Sequence, residues 1–170
     1  MKAFPHRPGF TLPEILLAMA LLALIMAAAA AGIHAANTSY TYNSEKTELV
    51  AKACGVLDRI ARDIRRATDF EILDDEILVD VQSLRIRLPD STWHTYAGSD
   101  MSGTAKGDIT FVKTESDNTE SDPVLLTGEV TSFTIEQPAD SQSCHVQVSL
   151  TGDYATVSKH ITVTPRKVLF

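Results

Sequence analysis

The sequence predicts an α+β fold in which one long N-terminal helix, with a membrane half and an amphipathic half, packs on an antiparallel β-sheet. Three features predict this order of elements. An apolar stretch without charges lies near the N-terminus, an amphipathic helical pattern follows it, and short alternating runs fill the remainder of the chain. The length of 170 residues suits one globular domain with an appendage.

The composition excludes several classes of protein. With 44% hydrophobic and 22% charged residues, the chain is neither wholly disordered nor collagen-like. The net charge of -7 argues against a broad basic surface, so we expect no nucleic-acid partner. The 2 cysteines are too few for a disulfide-dense scaffold.

The apolar stretch spans residues 15–36, which contain only Leu, Ile, Met, Ala, one Gly and one His. As a helix it would extend roughly 33 Å, enough to cross the hydrocarbon core of a bilayer. Three side chains that are basic or can be protonated precede it, namely Lys2, His6 and Arg7. The positive-inside rule then predicts a single membrane span with a cytoplasmic N-terminus and the bulk of the chain across the membrane.

This stretch has three interpretations. A plain single-pass anchor is the first. A conventional signal peptide is the second, because runs with small residues that suit signal peptidase follow, namely Ala29-Ala30-Ala31 and His34-Ala35-Ala36. Glu14 favours a third interpretation, because a carboxylate at the start of a membrane helix is costly and needs a partner.

The residues around this carboxylate follow a short basic leader and read Gly9-Phe10-Thr11-Leu12-Pro13-Glu14. Together with the apolar stretch that follows, they resemble the N-terminal signal of type IV prepilins and type II secretion pseudopilins. The resemblance implies that prepilin peptidase cleaves between Gly9 and Phe10 and that the new N-terminal Phe10 is N-methylated. Glu14 would then be the fifth residue of the mature chain.

The chemistry of this motif accounts for its spacing. Gly9 has no side chain, so its backbone can enter a protease cleft in extended form. Glu14 would neutralise the amine of Phe10, in its own chain or in a neighbouring subunit, and so set the axial register of a fibre. Pro13 fits the first helical turn, where N–H groups have no internal partners.

Residues 37–69 are predicted to continue the helix as its amphipathic half. Residues 37–44 are polar and form either a junction or part of the helix, since no Pro or Gly interrupts them. Beyond Glu45, apolar residues recur at three- and four-residue steps. They are Leu49, Ala53, Val56, Leu57, Ile60, Ile64 and Ala67. We interpret the charged residues beside this stripe as a solvated face rather than as a binding patch.

Residues 70–170 form a predicted β-rich globular region whose runs are separated by acidic or glycine-rich loops. The predicted strands are residues 70–73, 77–81, 84–88, 93–96, 109–112, 124–126, 130–136, 145–150 and 157–164. The resemblance implies the same layout, because the pilin fold packs the second half of a long N-terminal helix on a β-sheet.

Two further segments are similar to J-type minor pseudopilins and W-type minor pilins. Residues 57–67 resemble the end of their helix, and residues 124–133 resemble a strand pair. The resemblance implies a structural minor subunit of a type II secretion pseudopilus, with no catalytic activity and no cofactor. Its implied partners are prepilin peptidase, other major and minor pseudopilins or pilins, the inner membrane and the inner-membrane assembly platform. The globular region would be periplasmic before the subunit enters the fibre.

Two other functions stay open on the sequence. A type IV minor pilin in adhesion, motility or DNA uptake would carry the same N-terminal signal. An exported ligand-binding domain with a conventional signal peptide belongs to another class, and signal peptidase would release it as a soluble periplasmic product.

No catalytic motif is visible, since the sequence lacks Gly-x-Ser-x-Gly, a P-loop and His-Glu-x-x-His. We interpret His94, His145 and His160 as exposed or core-edge side chains rather than metal ligands. Acidic segments at 74–76 and 114–122 offer oxygen ligands for Ca²⁺, but neither has the EF-hand spacing, so we expect solvated loops and no metal.

The two cysteines would both face an oxidising compartment. A disulfide between Cys54 and Cys144 would join helix to sheet and add about 3–4 kcal/mol if unstrained. Two separate buried thiols are the alternative.

Overall fold

The structure is a computed structural model that describes residues 10–74, 82–99, 106–139 and 142–165. In these residues one helix precedes seven strands, which confirms the predicted α+β class. The elements are α1 Leu12–Arg66, β1 Asp69–Asp74, β2 Gln82–Arg87, β3 Trp93–Gly98, β4 Gly107–Thr114, β5 Val124–Glu136, β6 Cys144–Thr151 and β7 Thr156–Val163. The predicted leader 1–9, which includes Gly9, and the predicted strand 77–81 lie outside the described residues.

The chain divides into two compact units, Met1–Thr41 and Tyr42–Phe170. In the first unit every residue from 10 to 41 is exposed. An 18-residue window of α1 has a mean hydropathy of 2.5 and is 0% buried, so the helix is long and apolar enough to cross a membrane. Its bulky apolar side chains are all at least half exposed, among them Leu16, Leu17, Leu22, Leu24 and Ile25.

The polar residues 37–44 belong to α1 and do not form a break in it. The hydroxyl groups of Thr38 and Thr41 donate to the carbonyl oxygens of His34 and Asn37, each at 3.0 Å. These bonds within the helix satisfy the hydroxyl groups without an interruption of the backbone ladder.

In the second unit, α1 buries the predicted apolar stripe against the sheet. The buried residues are Leu49, Ala53, Val56, Leu57, Ile60, Ala61 and Ile64. The helix ends at Arg66, where Arg65 and Arg66 complement the negative end of its dipole. Ala67, the last residue of the predicted stripe, is also buried but lies just beyond the helix.

The sheet is an antiparallel meander in which the strands lie in chain order from β1 to β7. Alternation in each strand sends one set of side chains toward α1 and the other set to the opposite face, here called the outer face. In β6 the buried positions are Cys144, Val146, Val148 and Leu150. The intervening residues of β6, which include His145, therefore lie on the outer face.

Strand β5 corrects two of the predictions. Residues 124–126 and 130–136 were expected as separate runs, and the family resemblance implied a strand pair, but they form one strand. The register shifts on both sides of this strand, near Ile109 in β4 and between Val130 and Ser132. A bulge adds a residue without ending a strand, so Glu129 adopts φ 62° while pairing resumes beyond it.

Candidate functional site

The start of α1 forms a capping arrangement around Thr11. The backbone N–H groups of Glu14 and Ile15 donate to the carbonyl oxygen of Thr11 at 3.0 and 3.2 Å. In return, Glu14 Oε2 accepts the backbone N–H of Thr11 at 3.5 Å. The Thr-x-x-Glu spacing is that of a capping box, in which the glutamate reaches back to the residue before the helix. At 3.5 Å this contact is long, so it directs the Glu14 carboxylate toward Thr11 and contributes little to the stability of the first turn.

Pro13 lies in this first turn, because α1 begins at Leu12. The first four N–H groups of a helix have no carbonyl partner within it. A proline there removes no hydrogen bond, and its fixed φ suits a helix. The local sequence therefore starts the helix immediately before the apolar stretch.

The carboxylate of Glu14 borders an apolar groove on the helix surface. The groove is lined by Phe10, Glu14, Ile15, Ala18, Met19 and Leu22. The Phe10 side chain is 81% exposed, and Glu14 is exposed as well. A carboxylate offers about four lone-pair sites, so the bond to Thr11 leaves acceptor capacity for an amine. Gly9 lies outside the described residues, so only one side of the predicted cleavage site is described.

A prokaryotic N-terminal methylation motif matches residues 5–30 of the chain. The match indicates a chain of the type IV pilin and pseudopilin class. Such prepilin-like chains are processed by prepilin peptidase and assemble with other pilins. No curated protein and no solved structure gives a significant match. The comparison therefore concerns the leader and the apolar helix alone, and the globular unit is described from its own geometry.

Within the globular unit, Asp63 joins the end of α1 to the sheet. Its Oδ2 accepts a hydrogen bond from the hydroxyl of Tyr96 at 2.6 Å and lies 2.6 Å from Nδ1 of His94. His94 and Tyr96 alternate along β3, so both point toward the helix. This histidine lies at the edge of the core, as the sequence predicted.

An arginine and a phenylalanine close this cluster. Phe111 packs edge-on against His94, with ring centroids 5.0 Å apart, and lies 5.3 Å from the ring of Tyr96. The guanidinium of Arg59 lies 4.0 Å from the centroid of Phe111. Because Arg59 precedes Asp63 by four residues, both reach the sheet from one face of the helix. We call Arg59, Asp63, His94, Tyr96 and Phe111 the helix–sheet clamp.

Burial and hydrogen bonding shift the pKa of Asp63 in opposite directions. Burial raises the pKa of Asp63, but the hydrogen bonds from His94 and Tyr96 outweigh it, so the pKa lies below its usual value. Burial and the neighbouring carboxylate raise the pKa of Tyr96. Asp63 is thus ionised and Tyr96 is protonated at neutral pH, which suits a fixed structural contact.

A second contact ties Glu45 of α1 to the turn between β6 and β7. Both carboxylate oxygens of Glu45 accept the backbone N–H of Tyr154, at 3.2 and 3.1 Å. The turn closes through a bond from the N–H of Gly152 to the carbonyl of Ala155 at 2.9 Å. No local pattern in the sequence predicts this contact, because the two partners are 109 residues apart.

A third contact joins the helix to the bulge in β5. Lys52 pairs with Glu48 one turn earlier at 3.0 Å and with Glu129 at 3.1 Å. Glu129 is the bulge residue with positive φ, so the bulge directs its side chain toward the helix. These side chains are largely exposed, and the ion pairs contribute little to stability.

The two cysteines are both free, with Cys54 exposed and Cys144 buried. The structure therefore contains no disulfide between them, and the alternative of a buried thiol holds for Cys144 alone. Cys144 begins β6 with its side chain in the core, whereas Cys54 lies beside the buried stripe. Burial raises the pKa of the Cys144 thiol to about 11.

The predicted solvated loop after β4 forms a self-contained turn. Asp117 Oδ1 accepts the N–H of Thr119 at 2.9 Å, and the N–H of Glu115 donates to the carbonyl of Thr119 at 2.9 Å. In the described part of the chain, no group of three or more His, Cys, Asp or Glu residues is placed to hold a metal ion. Asp74 has no described side chain, and residues 75–76 lie outside the described part.

Proposed function

We propose that the chain is a structural minor subunit of a type II secretion pseudopilus. In this proposal prepilin peptidase cuts between Gly9 and Phe10, Phe10 is N-methylated, and the subunit assembles through α1. The observation that carries the proposal is the methylation motif at residues 5–30, which leads directly into an exposed apolar helix.

The exposed apolar surface of α1 needs a cover. Burial of one large aliphatic side chain is worth about 1.5–3 kcal/mol, so a row of exposed leucines in water would be very costly. The inner membrane would cover this surface before assembly, and the helices of neighbouring subunits would cover it in the fibre. Small residues in the second half of the stretch, 27–32, would allow such helices to approach closely.

Glu14 would serve assembly in addition to capping its own helix. After cleavage the positive amine of Phe10 lies next to Thr11, whose N–H the carboxylate already accepts. The amine of the same chain or of a neighbour would satisfy the remaining acceptor sites of Glu14. In the apolar core of a fibre an unpaired carboxylate costs about 3–5 kcal/mol, so this pair would select one axial register.

The globular unit supports a structural role rather than catalysis. The partly buried polar groups of the clamp bind each other, Glu45 binds the backbone of Tyr154, and both contacts hold the helix to the sheet. Members of the prepilin-like class are structural subunits. We therefore expect the unit to present a surface to other subunits, and we expect no turnover of a substrate.

The first test is the intact mass and N-terminal sequence of the protein extracted from membranes, with and without prepilin peptidase. A start at Phe10 with one added methyl group is expected only when the peptidase is present. An intact Met1 in both strains would contradict processing, and a start near Asn37 would favour the exported domain with a conventional signal peptide.

The second test distinguishes a role in type II secretion from a role in a type IV pilus. Deletion of the gene is expected to abolish export of type II secretion substrates and to leave pilus-dependent motility unchanged. The reverse phenotype would assign the subunit to a type IV pilus. The segment at 57–67, which is similar to J-type minor pseudopilins, favours secretion, although W-type minor pilins share it.

A further inference from the structure

Two histidines meet on the outer face of the sheet. The rings of His145 in β6 and His160 in β7 have centroids 5.3 Å apart and planes inclined by 34°. The register pairs His145 with Thr162 and Gln147 with His160, so the two histidines are diagonal neighbours on adjacent strands. His160 is exposed and His145 is half-buried, so solvent reaches the pair.

One hydrogen bond orients His145. Its Nδ1 lies 2.9 Å from the hydroxyl oxygen of Thr162. With the proton on Nδ1 donated to Thr162, the lone pair of the ring is on Nε2. A histidine that binds a metal almost always donates its other N–H to a neighbouring acceptor, which fixes the tautomer and the ring orientation. The hydroxyl oxygen of Thr162 is placed to act as that acceptor in the Nδ1-protonated tautomer.

The separation of the rings suits a shared ion. A tetrahedral zinc ion binds imidazole nitrogen at about 2.0–2.1 Å, which places each ring centroid about 3.2 Å from the metal. Two such rings at the tetrahedral angle are about 5.2 Å apart, close to the observed 5.3 Å. We infer that His145 and His160 form a two-histidine site for a divalent cation that prefers imidazole ligands, such as Zn²⁺, Ni²⁺ or Cu²⁺.

The surroundings of the pair favour a cation. Glu136 of β5 is the direct cross-strand neighbour of His145, on the same outer face, and it adds negative charge beside the site. On the other side of the pair the outer face carries hydroxyl groups, with Ser149 and Ser158 hydrogen-bonded at 3.0 Å. Two histidines fill only half of a tetrahedral shell, so water completes the coordination.

The test is a titration of the full, untagged chain in detergent with ZnCl2, followed by calorimetry. The wild-type chain is expected to bind one Zn²⁺ with saturation, and His145→Asn and His160→Asn are each expected to abolish that binding. Thr162→Val, which removes only the orienting hydroxyl, is expected to weaken binding by about 10-fold. His34→Asn is the matched control, because His34 is exposed on α1 and far from β6 in sequence.

Loss of Zn²⁺ binding by His160→Asn can be distinguished from unfolding. His160 lies on the surface, so its substitution is expected to leave the far-ultraviolet circular dichroism unchanged. Absence of saturable Zn²⁺ binding by the wild-type chain would overturn the proposal. It would also be overturned if both His145→Asn and His160→Asn bound Zn²⁺ as the wild type does.

Discussion

The carboxylate of Glu45 accepts the backbone N–H of Tyr154 through both oxygens, at 3.1 and 3.2 Å, and so fastens α1 to the turn between β6 and β7. The Glu45 carboxylate occupies the space that a side chain at position 152 would need. Gly152 thus leaves room for the carboxylate of a residue far away in the sequence.

Gly152→Ala is predicted to destabilise the globular unit. A methyl group there would overlap the Glu45 carboxylate. The flexible glutamate would move away and lose its bond to Tyr154, at a cost of about 0.5–1.5 kcal/mol because the contact is exposed to solvent. The measurement is denaturation followed by the fluorescence of Trp93, the 1 tryptophan of the chain.

Gly55→Ala is the matched control for this substitution. Gly55 lies within α1, and a methyl group there would meet nothing within 4 Å. Alanine is favoured over glycine in a helix by about 0.5–1 kcal/mol, so this variant is expected to be more stable than wild type. Equal stability of Gly152→Ala and wild type would contradict the account of Glu45.

The clamp predicts a loss of stability in acid. The pKa of Asp63 is lowered in the folded state by its bonds from His94 and Tyr96, which outweigh the effect of burial. The contribution of its ionised form is therefore complete above the unfolded pKa of about 3.9 and is lost as pH falls through the lower folded pKa. The difference in unfolding free energy between wild type and Asp63→Asn should therefore shrink as the pH falls below about 4.

The comparison with Asp63→Asn cancels the titrating groups that do not contact Asp63, and repeating it with His94→Asn in both chains removes the contribution of the histidine that does. The unfolding midpoint in urea, measured at a series of pH values, gives the difference directly. A difference that stayed constant down to pH 2 would show that ionised Asp63 does not stabilise the fold.

Substitution of Glu14 is predicted to prevent incorporation of the subunit into fibres without changing the residue at which α1 begins. Glu14→Gln keeps an oxygen that can accept the N–H of Thr11, so α1 should begin at the same residue, but it removes the negative charge. Processing at Gly9 should persist while incorporation into sheared fibres is lost. The assay is immunoblotting of membrane and fibre fractions, with Glu14→Asp as the variant that keeps the charge. Normal incorporation of Glu14→Gln would rule out the pairing with the amine.

The two thiols are predicted to react at very different rates. Cys54 is exposed, whereas Cys144 is buried and its pKa is raised to about 11, so it is both inaccessible and protonated at pH 8. A disulfide-exchange reagent should label one thiol of the native chain and both thiols after denaturation. Cys54→Ser should lack the fast phase. Labelling of neither thiol in the non-reduced native chain would instead point to a disulfide.

Local patterns explain what could be predicted in advance. The buried stripe from Leu49 to Ile64 repeats at helical spacing, and most strands appear as alternating runs, so neither needs information from distant residues. Local patterns also predicted a break between residues 126 and 130, which the structure does not have. A bulge interrupts the alternation there without ending the strand. Bulge geometry depends on the partner strands, which local pattern does not include.

The sequence by itself determined the N-terminal signal, the apolar segment and the order of helix and sheet, because these depend on neighbouring residues and on periodicity. Only the tertiary structure decided which polar groups meet. Asp63 and Tyr96 are 33 residues apart, Glu45 and Tyr154 are 109 apart, and His145 meets His160 only through the register of β6 and β7. Shifting that register by one residue would place one of the histidines on the opposite face of the sheet, because side chains alternate between the two faces of a strand.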